Sequence, residues 1–184
     1  MKFEWHFRMG VDRFRLLLEH EFVWTRPDVG WCKLNTDASL VGSTRSVAGG
    51  GLMRGADGCW ICGFSIKLKN VSINVAELLA LWEGLRVAWK RRIQKLVAEL
   101  DSEVVLKLFM SLHTREHPLH YILEDCRSFQ RFPSEFQLQH TKRDGNIYAN
   151  ILAKMGHDCE AFHFWDKPPL ALVAAIESDI EASG

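Results

Sequence analysis

The chain has 184 residues, of which 47% are apolar and 25% are charged, a composition typical of one globular domain and unlike disordered or collagen-like chains. Its 23 Lys and Arg residues balance its 23 Asp and Glu residues, which excludes the global positive field of proteins that bind nucleic acid tightly and non-specifically. No run approaches the ~18 apolar residues that cross a bilayer, so we expect an intracellular protein, in the nucleus or cytoplasm, without membrane contact.

The first 26 residues show no strand pattern and are interpreted as an N-terminal extension, 1–26. Apolar residues at helical spacing could form one face of a short helix there: Val11, Phe14, Leu17, Leu18 and Phe22. Pro27 and Gly30 then precede an alternation of apolar and polar residues from Cys32 to Asp37, which predicts the first strand.

Two further strands are predicted at 47–54 and 59–66, joined by a turn at Ala56-Asp57-Gly58. The run Gly49-Gly50-Gly51 indicates a bulge or a close approach of another backbone. Three antiparallel strands therefore open the domain.

From Asn74 the apolar residues recur at helical spacing as far as Lys90-Arg91-Arg92, which predicts a long helix. The remaining predicted elements are a strand at 95–100, helices at 102–112 and 119–130, a strand at 136–140 and a helix at 145–159. The order β-β-β-α-β-α-α-β-α predicts one α/β domain over 27–160, with a C-terminal tail at 161–184.

Acidic residues occupy one position in each of three predicted elements: Asp37 in the first strand, Glu77 in the first helix and Asp101 at the end of the fourth strand. Each has an ordinary explanation when taken alone. Asp37 could be a strand-end turn residue, Glu77 could complete a capping box with Asn74, and Asp101 could be a helix N-cap. The three placements together require a common explanation.

The same elements carry the motifs of a known family. Four segments agree with it in order and spacing: NTDAS at 35–39, NVAELLA at 74–80, ELDS at 99–102 and HTKRDGNIYANILA at 140–153. Over 24–159 the chain resembles ribonuclease H domains, above all those of plant retrotransposon-derived proteins associated with reverse transcriptase. This resemblance implies a ribonuclease H-like α/β fold, with a mixed five-stranded sheet of three antiparallel strands and then parallel additions, flanked by helices.

The resemblance also implies an endonuclease that cuts the RNA strand of RNA–DNA hybrids with two Mg²⁺ ions, for which Mn²⁺ could substitute. Hard divalent ions prefer carboxylate oxygens, and a pair of them can activate the attacking water and stabilise the departing oxygen. Asp37 would bridge both ions, while Glu77 and Asp101 would complete the leaving-group site. His140 would shuttle protons, for which a pKa near neutrality is suited.

Substrate contacts are implied at two further positions. Ser39 and Asn74 match residues that touch the hybrid in the family, where 2′-hydroxyls distinguish RNA from DNA; for Asn74 a plain helix cap is the alternative. Lys90-Arg91-Arg92 could contact phosphates, although cations are ordinary partners of a helix C-terminus. The expected partner is an RNA–DNA hybrid, and the expected assembly is a monomer.

Two departures from the family pattern affect the expected activity. Ala38 stands where the family usually has Gly, which adds one methyl group near the site. Asn150 stands where the family has a fourth carboxylate, a ligand of the water-activating ion. An Asn carbonyl can ligate a metal but carries no charge, so that ion should bind more weakly. We expect an enzyme with reduced or conditional activity; the alternative is a catalytically decayed nucleic-acid-binding module of the same fold.

Overall fold

One mixed sheet organises the part of the chain that the computed structural model describes, residues 24–111 and 115–182. Its six strands there are β1 (Cys32–Val41), β2 (Ser46–Gly55), β3 (Trp60–Leu68), β4 (Lys95–Leu100), β5 (Glu135–His140) and β6 (Phe162–Trp165). Their spatial order is β5-β4-β1-β2-β3-β6. The first three strands are antiparallel, whereas β4 and β5 are added parallel to β1, which confirms the predicted arrangement.

The sixth strand corrects the expected count of five. β6 lies within 161–184, the segment interpreted as a tail, and pairs antiparallel with Gly63–Ile66 of β3. A strand of four residues followed by Pro168 and Pro169 contains too little alternation to be recognised from sequence. The sheet therefore recruits a segment that has no strand pattern of its own.

The helices of the described residues are α1 (Ile73–Lys90), α2 (Glu103–Met110), α3 (His120–Phe129), α4 (Ile147–Met155) and α5 (Leu170–Ala182). The helix predicted at 145–159 is divided, because short 3-10 helices, Arg143–Asn146 and Gly156–Asp158, flank α4. The short helix considered from Val11 to Phe22 lies outside the described residues. No helix described here has the length and apolar character needed to traverse a bilayer.

The Gly49-Gly50-Gly51 run lies where helices approach both faces of β2. A Cβ atom on Gly50 would come 2.3 Å from the backbone nitrogen of Ala153 in α4, and one on Gly49 would come 3.1 Å from the Cβ of Ala80 in α1. Of the two interpretations of the run, a close backbone approach is therefore the one that the structure shows. The register irregularity of β2 lies elsewhere, between Met53 and Arg54. This contact brings α4 against β1 and β2, beside the acidic residues.

The C-terminal helix packs on the same face of the sheet as α4. Leu172 and Ile176 of α5 join a buried cluster with Leu52 and Leu152. Nearby, the guanidinium of Arg54, only 1% exposed, pairs with Asp179 at 2.7 Å. These contacts attach α5 to the sheet.

Candidate active site

Asp37, Glu77 and Asp101 bring their carboxylates together at one point. Each offers an oxygen, and these three oxygens lie within 4.8 Å of one another. The sheet explains the convergence: Thr36 of β1 pairs with Leu100 of β4, so the residues that follow, Asp37 and Asp101, are neighbours, and α1 brings Glu77 over them. The predicted clustering of the three acids is confirmed.

The capping explanations for two of these acids are wrong. Ser72 is the N-cap of α1 and accepts the Val75 N–H, while Ser102 is the N-cap of α2. Asn74 is therefore not a cap but an exposed residue in the first turn of α1. The carboxylate of Glu77 is buried, and its Oε2 has no hydrogen-bond partner in the described part of the chain. Burying a carboxylate oxygen without a hydrogen-bond partner is energetically unfavourable, and a bound cation would provide the missing partner.

Burial and mutual repulsion disfavour charge on this cluster. Burial, and secondarily the negative charge of Asp101, raise the pKa of Asp37 to about 6. Burial followed by repulsion from Asp37 and Asp101 raises the pKa of Glu77 to about 9. Without a cation the site therefore retains a proton near neutral pH, and the positive charge of a divalent ion would oppose both shifts by favouring the ionised carboxylates.

Asn150 faces the cluster from α4. Its Nδ2 donates a hydrogen bond to Oδ2 of Asp37 at 2.6 Å, while the Ala38 N–H donates to the other oxygen of that carboxylate at 2.9 Å. Both bonds favour the ionised form of Asp37 and partly oppose the effect of burial on its pKa. The amide thus supplies through a hydrogen bond some of the stabilisation that a cation would supply through charge.

Two basic side chains lie beside Asp101. The Nε2 atom of His140, at the end of β5, is 3.1 Å from the Asp101 carbonyl oxygen, so His140 is adjacent to the cluster. The Nε of Arg143 lies 3.6 Å from Asp101 Oδ2, and its side chain is 93% exposed. Arg143 belongs to the loop motif that signalled the family, but nothing in the sequence indicates that it would contact an acid.

Ser39 lies on the same face of β1 as Asp37, because side chains two residues apart in a strand share a face. Its hydroxyl is 3.1 Å from Nε2 of His157, whose Nδ1 is 2.8 Å from the hydroxyl of Ser46. The methyl of Ala38 points the other way, into a small cluster with Val47 and Ala76. The extra methyl therefore packs under α1.

Sequence reasoning missed two residues that connect distant parts of this region. His157 contacts Ser39 from the 3-10 helix that follows α4. Asn146 is 1% exposed and donates from Nδ2 to the carbonyl of Thr36 at 2.8 Å, which fixes the start of α4 beside the strand residue that precedes Asp37. Each of these residues lies more than a hundred residues from its partner in the sequence, so no local pattern indicates the contact.

Comparison with known proteins assigns the family. The family model described as reverse transcriptase-like matches residues 35–156. An Arabidopsis thaliana protein named "Putative ribonuclease H protein" is 30% identical over 172 residues, which cover 93% of this chain and 27% of that protein. The chain thus spans about a quarter of the length of the curated relative that it matches.

Solved structures share the fold. The ribonuclease H1 of Halobacterium salinarum is 21% identical with a TM-score of 0.64, covering 70% of this chain and 98% of that one. The N-terminal ribonuclease H domain of a Mycobacterium tuberculosis protein is 21% identical with a TM-score of 0.63, over 70% and 94%. LC11 ribonuclease H1, solved with an RNA/DNA hybrid, is 17% identical with a TM-score of 0.61, over 69% and 96%. The chain belongs to the reverse transcriptase-like family and has the ribonuclease H fold.

Proposed function

We propose that this chain is a divalent-metal-dependent endonuclease that cuts the RNA strand of RNA–DNA hybrids. One observation carries the proposal: carboxylates from a strand, a helix and a strand end, distant in sequence, present oxygens within 4.8 Å of one another. Packing three acids together is unfavourable unless a cation offsets their repulsion. Their presence on a ribonuclease H fold supports this activity above others.

The donor set fits Mg²⁺, which prefers carboxylate oxygens and keeps several waters. The orphan Oε2 of Glu77 is an available ligand atom, and Asp37 can accept on both oxygens. Two ions bound here would supply activation of a water and stabilisation of the departing 3′ oxygen. Asp37 would hold both ions, and Glu77 and Asp101 would complete the leaving-group site, with Mn²⁺ as the alternative metal.

Two further side chains have separate proposed roles: His140 in proton transfer and Asn150 in metal binding. His140, beside Asp101, would carry protons to and from the reacting groups. Asn150 presents its N–H to Asp37 in this structure, so its carbonyl would ligate an ion only after the amide turns over. This requirement and the missing charge predict weak binding of the water-activating ion, and therefore activity that needs a high metal concentration.

The substrate proposal uses the surface next to the acids. The Ser39 hydroxyl and the exposed Asn74 amide lie on β1 and at the start of α1, the elements that carry Asp37 and Glu77, and both groups can bond to 2′-hydroxyls. That LC11 ribonuclease H1 was solved with an RNA/DNA hybrid supports the same ligand here. All three acids come from one chain, which supports a monomeric active unit.

The test is cleavage of a hybrid whose RNA strand is labelled, with Mg²⁺ or Mn²⁺ added over a range of concentrations. We expect cuts in the RNA strand alone, no cleavage of duplex DNA, and loss of cleavage in Asp37→Asn. Wild-type protein that neither cuts nor binds the hybrid would refute the proposal.

A second candidate is a module that binds the hybrid without cleaving it. The hydrogen bond from Asn150 to Asp37 favours this candidate, because an uncharged donor stands where a charged metal ligand is expected. Hybrid binding that is equal in the presence of EDTA and Mg²⁺, with no cleavage by wild type or by Asn150→Asp, would support this candidate and refute the nuclease.

A further inference from the structure

Aromatic side chains form an exposed cluster where α1 and α3 end. The Trp89 ring lies 5.3 Å from Phe132 and 5.9 Å from Phe129, and the two phenylalanine rings are 6.1 Å apart. Trp89 is 45% exposed and Phe132 is 52% exposed, whereas Phe129 is half-buried beneath them. These three residues are called the distal aromatic surface.

This surface is separate from the acidic cluster. Glu77 lies near the start of α1 and Trp89 near its end, which separates them by about 18 Å along the helix axis at 1.5 Å per residue. The proposed nuclease site therefore does not account for the exposed rings.

Cations surround the distal aromatic surface. Lys90, Arg92 and Arg131 are exposed, and none of them forms an ion pair within residues 24–111 and 115–182. Three acids close to these cations in the fold or in the sequence are already paired with other basic residues: Glu124 with Arg127, Glu135 with Lys95 and Asp166 with Arg91. Cations therefore outnumber acids at the rim of the surface, on a chain whose formal net charge is +0.

Arg92 adopts a backbone conformation that is uncommon for arginine. Its φ is 55°, in the left-handed region that glycine or asparagine usually fills after a helix, and its N–H donates to the Trp89 carbonyl. A side chain with a Cβ atom is strained in this region. Macrodipole compensation explains a cation at each helix end, but not an arginine in this conformation beside exposed aromatic rings.

We propose that the distal aromatic surface binds single-stranded nucleic acid, with bases stacked on Trp89 and Phe132 and phosphates on Lys90, Arg92 and Arg131. Single-strand sites combine exposed aromatic faces with a positive rim, since every base offers a ring face and every linkage a negative charge. An apolar protein partner would bury the rings but leave three cations without counter-charges, so the rim favours the nucleic acid. The surface would hold an unpaired strand away from the acids.

The test measures binding of fluorescent (dT)12 by anisotropy in EDTA, which keeps the metal site out of the measurement. Trp89→Ala/Phe132→Ala should weaken binding about tenfold or more, because stacking contributes on the order of 1 to 3 kcal/mol per base, and should leave the salt dependence unchanged. Lys90→Gln/Arg92→Gln/Arg131→Gln should lower the slope of log affinity against log salt by about two, since each phosphate contact on a single strand contributes about 0.7.

A matched triple variant at exposed cations away from this surface, Arg45→Gln/Lys69→Gln/Lys154→Gln, should retain the wild-type slope, and thermal melts should show that all variants are folded. Absence of (dT)12 binding by wild type, or equal affinity in all variants, overturns the proposal. Self-association that the double aromatic variant abolishes would assign the surface to a second copy of the chain and would also overturn it.

Discussion

Asn150 donates a hydrogen bond from Nδ2 to Oδ2 of Asp37 at 2.6 Å, at the position where resemblance to ribonuclease H domains implies a fourth carboxylate. This bond has two opposite effects. It stabilises the ionised form of Asp37 when no metal is present, and it leaves the site with one negative charge fewer when metal binds. Stability of the metal-free protein and affinity for divalent ions should therefore respond in opposite directions to changes at Asn150.

Asn150→Asp should lower the melting temperature in EDTA, because it replaces a donor to Asp37 with a second carboxylate. The same change should increase Mn²⁺ affinity at least about tenfold, since a charge pair near 4 Å contributes several kcal/mol even at an effective dielectric constant of ~20. Melting curves and isothermal titration calorimetry measure the two effects, and cleavage at limiting Mg²⁺ should rise. Asn150→Ala removes the bond without adding charge and should not gain affinity; unchanged Mn²⁺ affinity in Asn150→Asp would contradict the expectation.

The stability of the metal-free protein should fall as pH rises. Burial raises the pKa of Asp37 from 3.8 to about 6, so the folded protein holds this proton more tightly than the unfolded chain does. The resulting contribution to the free energy of unfolding is complete below pH ~4 and is lost as pH rises through ~6, with the raised pKa of Glu77 extending the loss upward.

Urea denaturation in EDTA between about pH 5 and 8 measures this dependence. Asp37→Asn should show a shallower fall than wild type, because the substituted amide does not titrate and Glu77 loses a repulsive neighbour. Saturating Mn²⁺ should flatten the wild-type curve. A wild-type stability that rises steadily over this range, relative to Asp37→Asn, would contradict the assignment of a strained acidic pair.

Sequence patterns predicted those parts of the fold whose cause is local. The strand predicted at 95–100 has its observed bounds, Lys95–Leu100, and the Gly49–Gly51 run indicates a bulge or a close backbone contact, of which the structure shows the second. Asp101 was ambiguous between ligand and N-cap, because a carboxylate before Ser102 fits both roles; only the observed bond from Val105 to Ser102 decides the cap. β6, His157 and Asn146 depend on partners across the sheet, and such contacts leave no periodicity in the sequence.

His157 should act as a positioning residue for Ser39. Its ring bridges the Ser39 and Ser46 hydroxyls, and burial lowers its pKa, which favours the neutral ring. His157→Ala should weaken hybrid binding several-fold while the cleavage rate at saturating hybrid stays close to wild type, because the acids are not disturbed. Ser46→Ala removes only the outer partner and should have a smaller effect; a loss confined to the maximal rate would contradict a positioning role.

The C-terminal helix should contribute to the stability of the domain rather than behave as a dispensable tail. Asp179 of α5 pairs at 2.7 Å with Arg54, whose side chain is 1% exposed against 19% for Asp179. Asp179→Asn would leave a buried guanidinium without its counter-charge, and loss of one partner of a buried pair costs on the order of 3 kcal/mol. Urea denaturation should therefore show a large decrease in the free energy of unfolding.

Asp166→Asn supplies the matched control, because Asp166 pairs with Arg91 at 2.8 Å but is 78% exposed. An exposed pair contributes below about 1 kcal/mol, since water screens it and both side chains lose freedom on pairing. The two variants make the same chemical change, so the difference between them isolates the burial of the Arg54 charge. Equal, small effects would mean that α5 does not hold Arg54 away from water, whereas a loss confined to Asp179→Asn would show that α5 contributes to the stability of the folded domain.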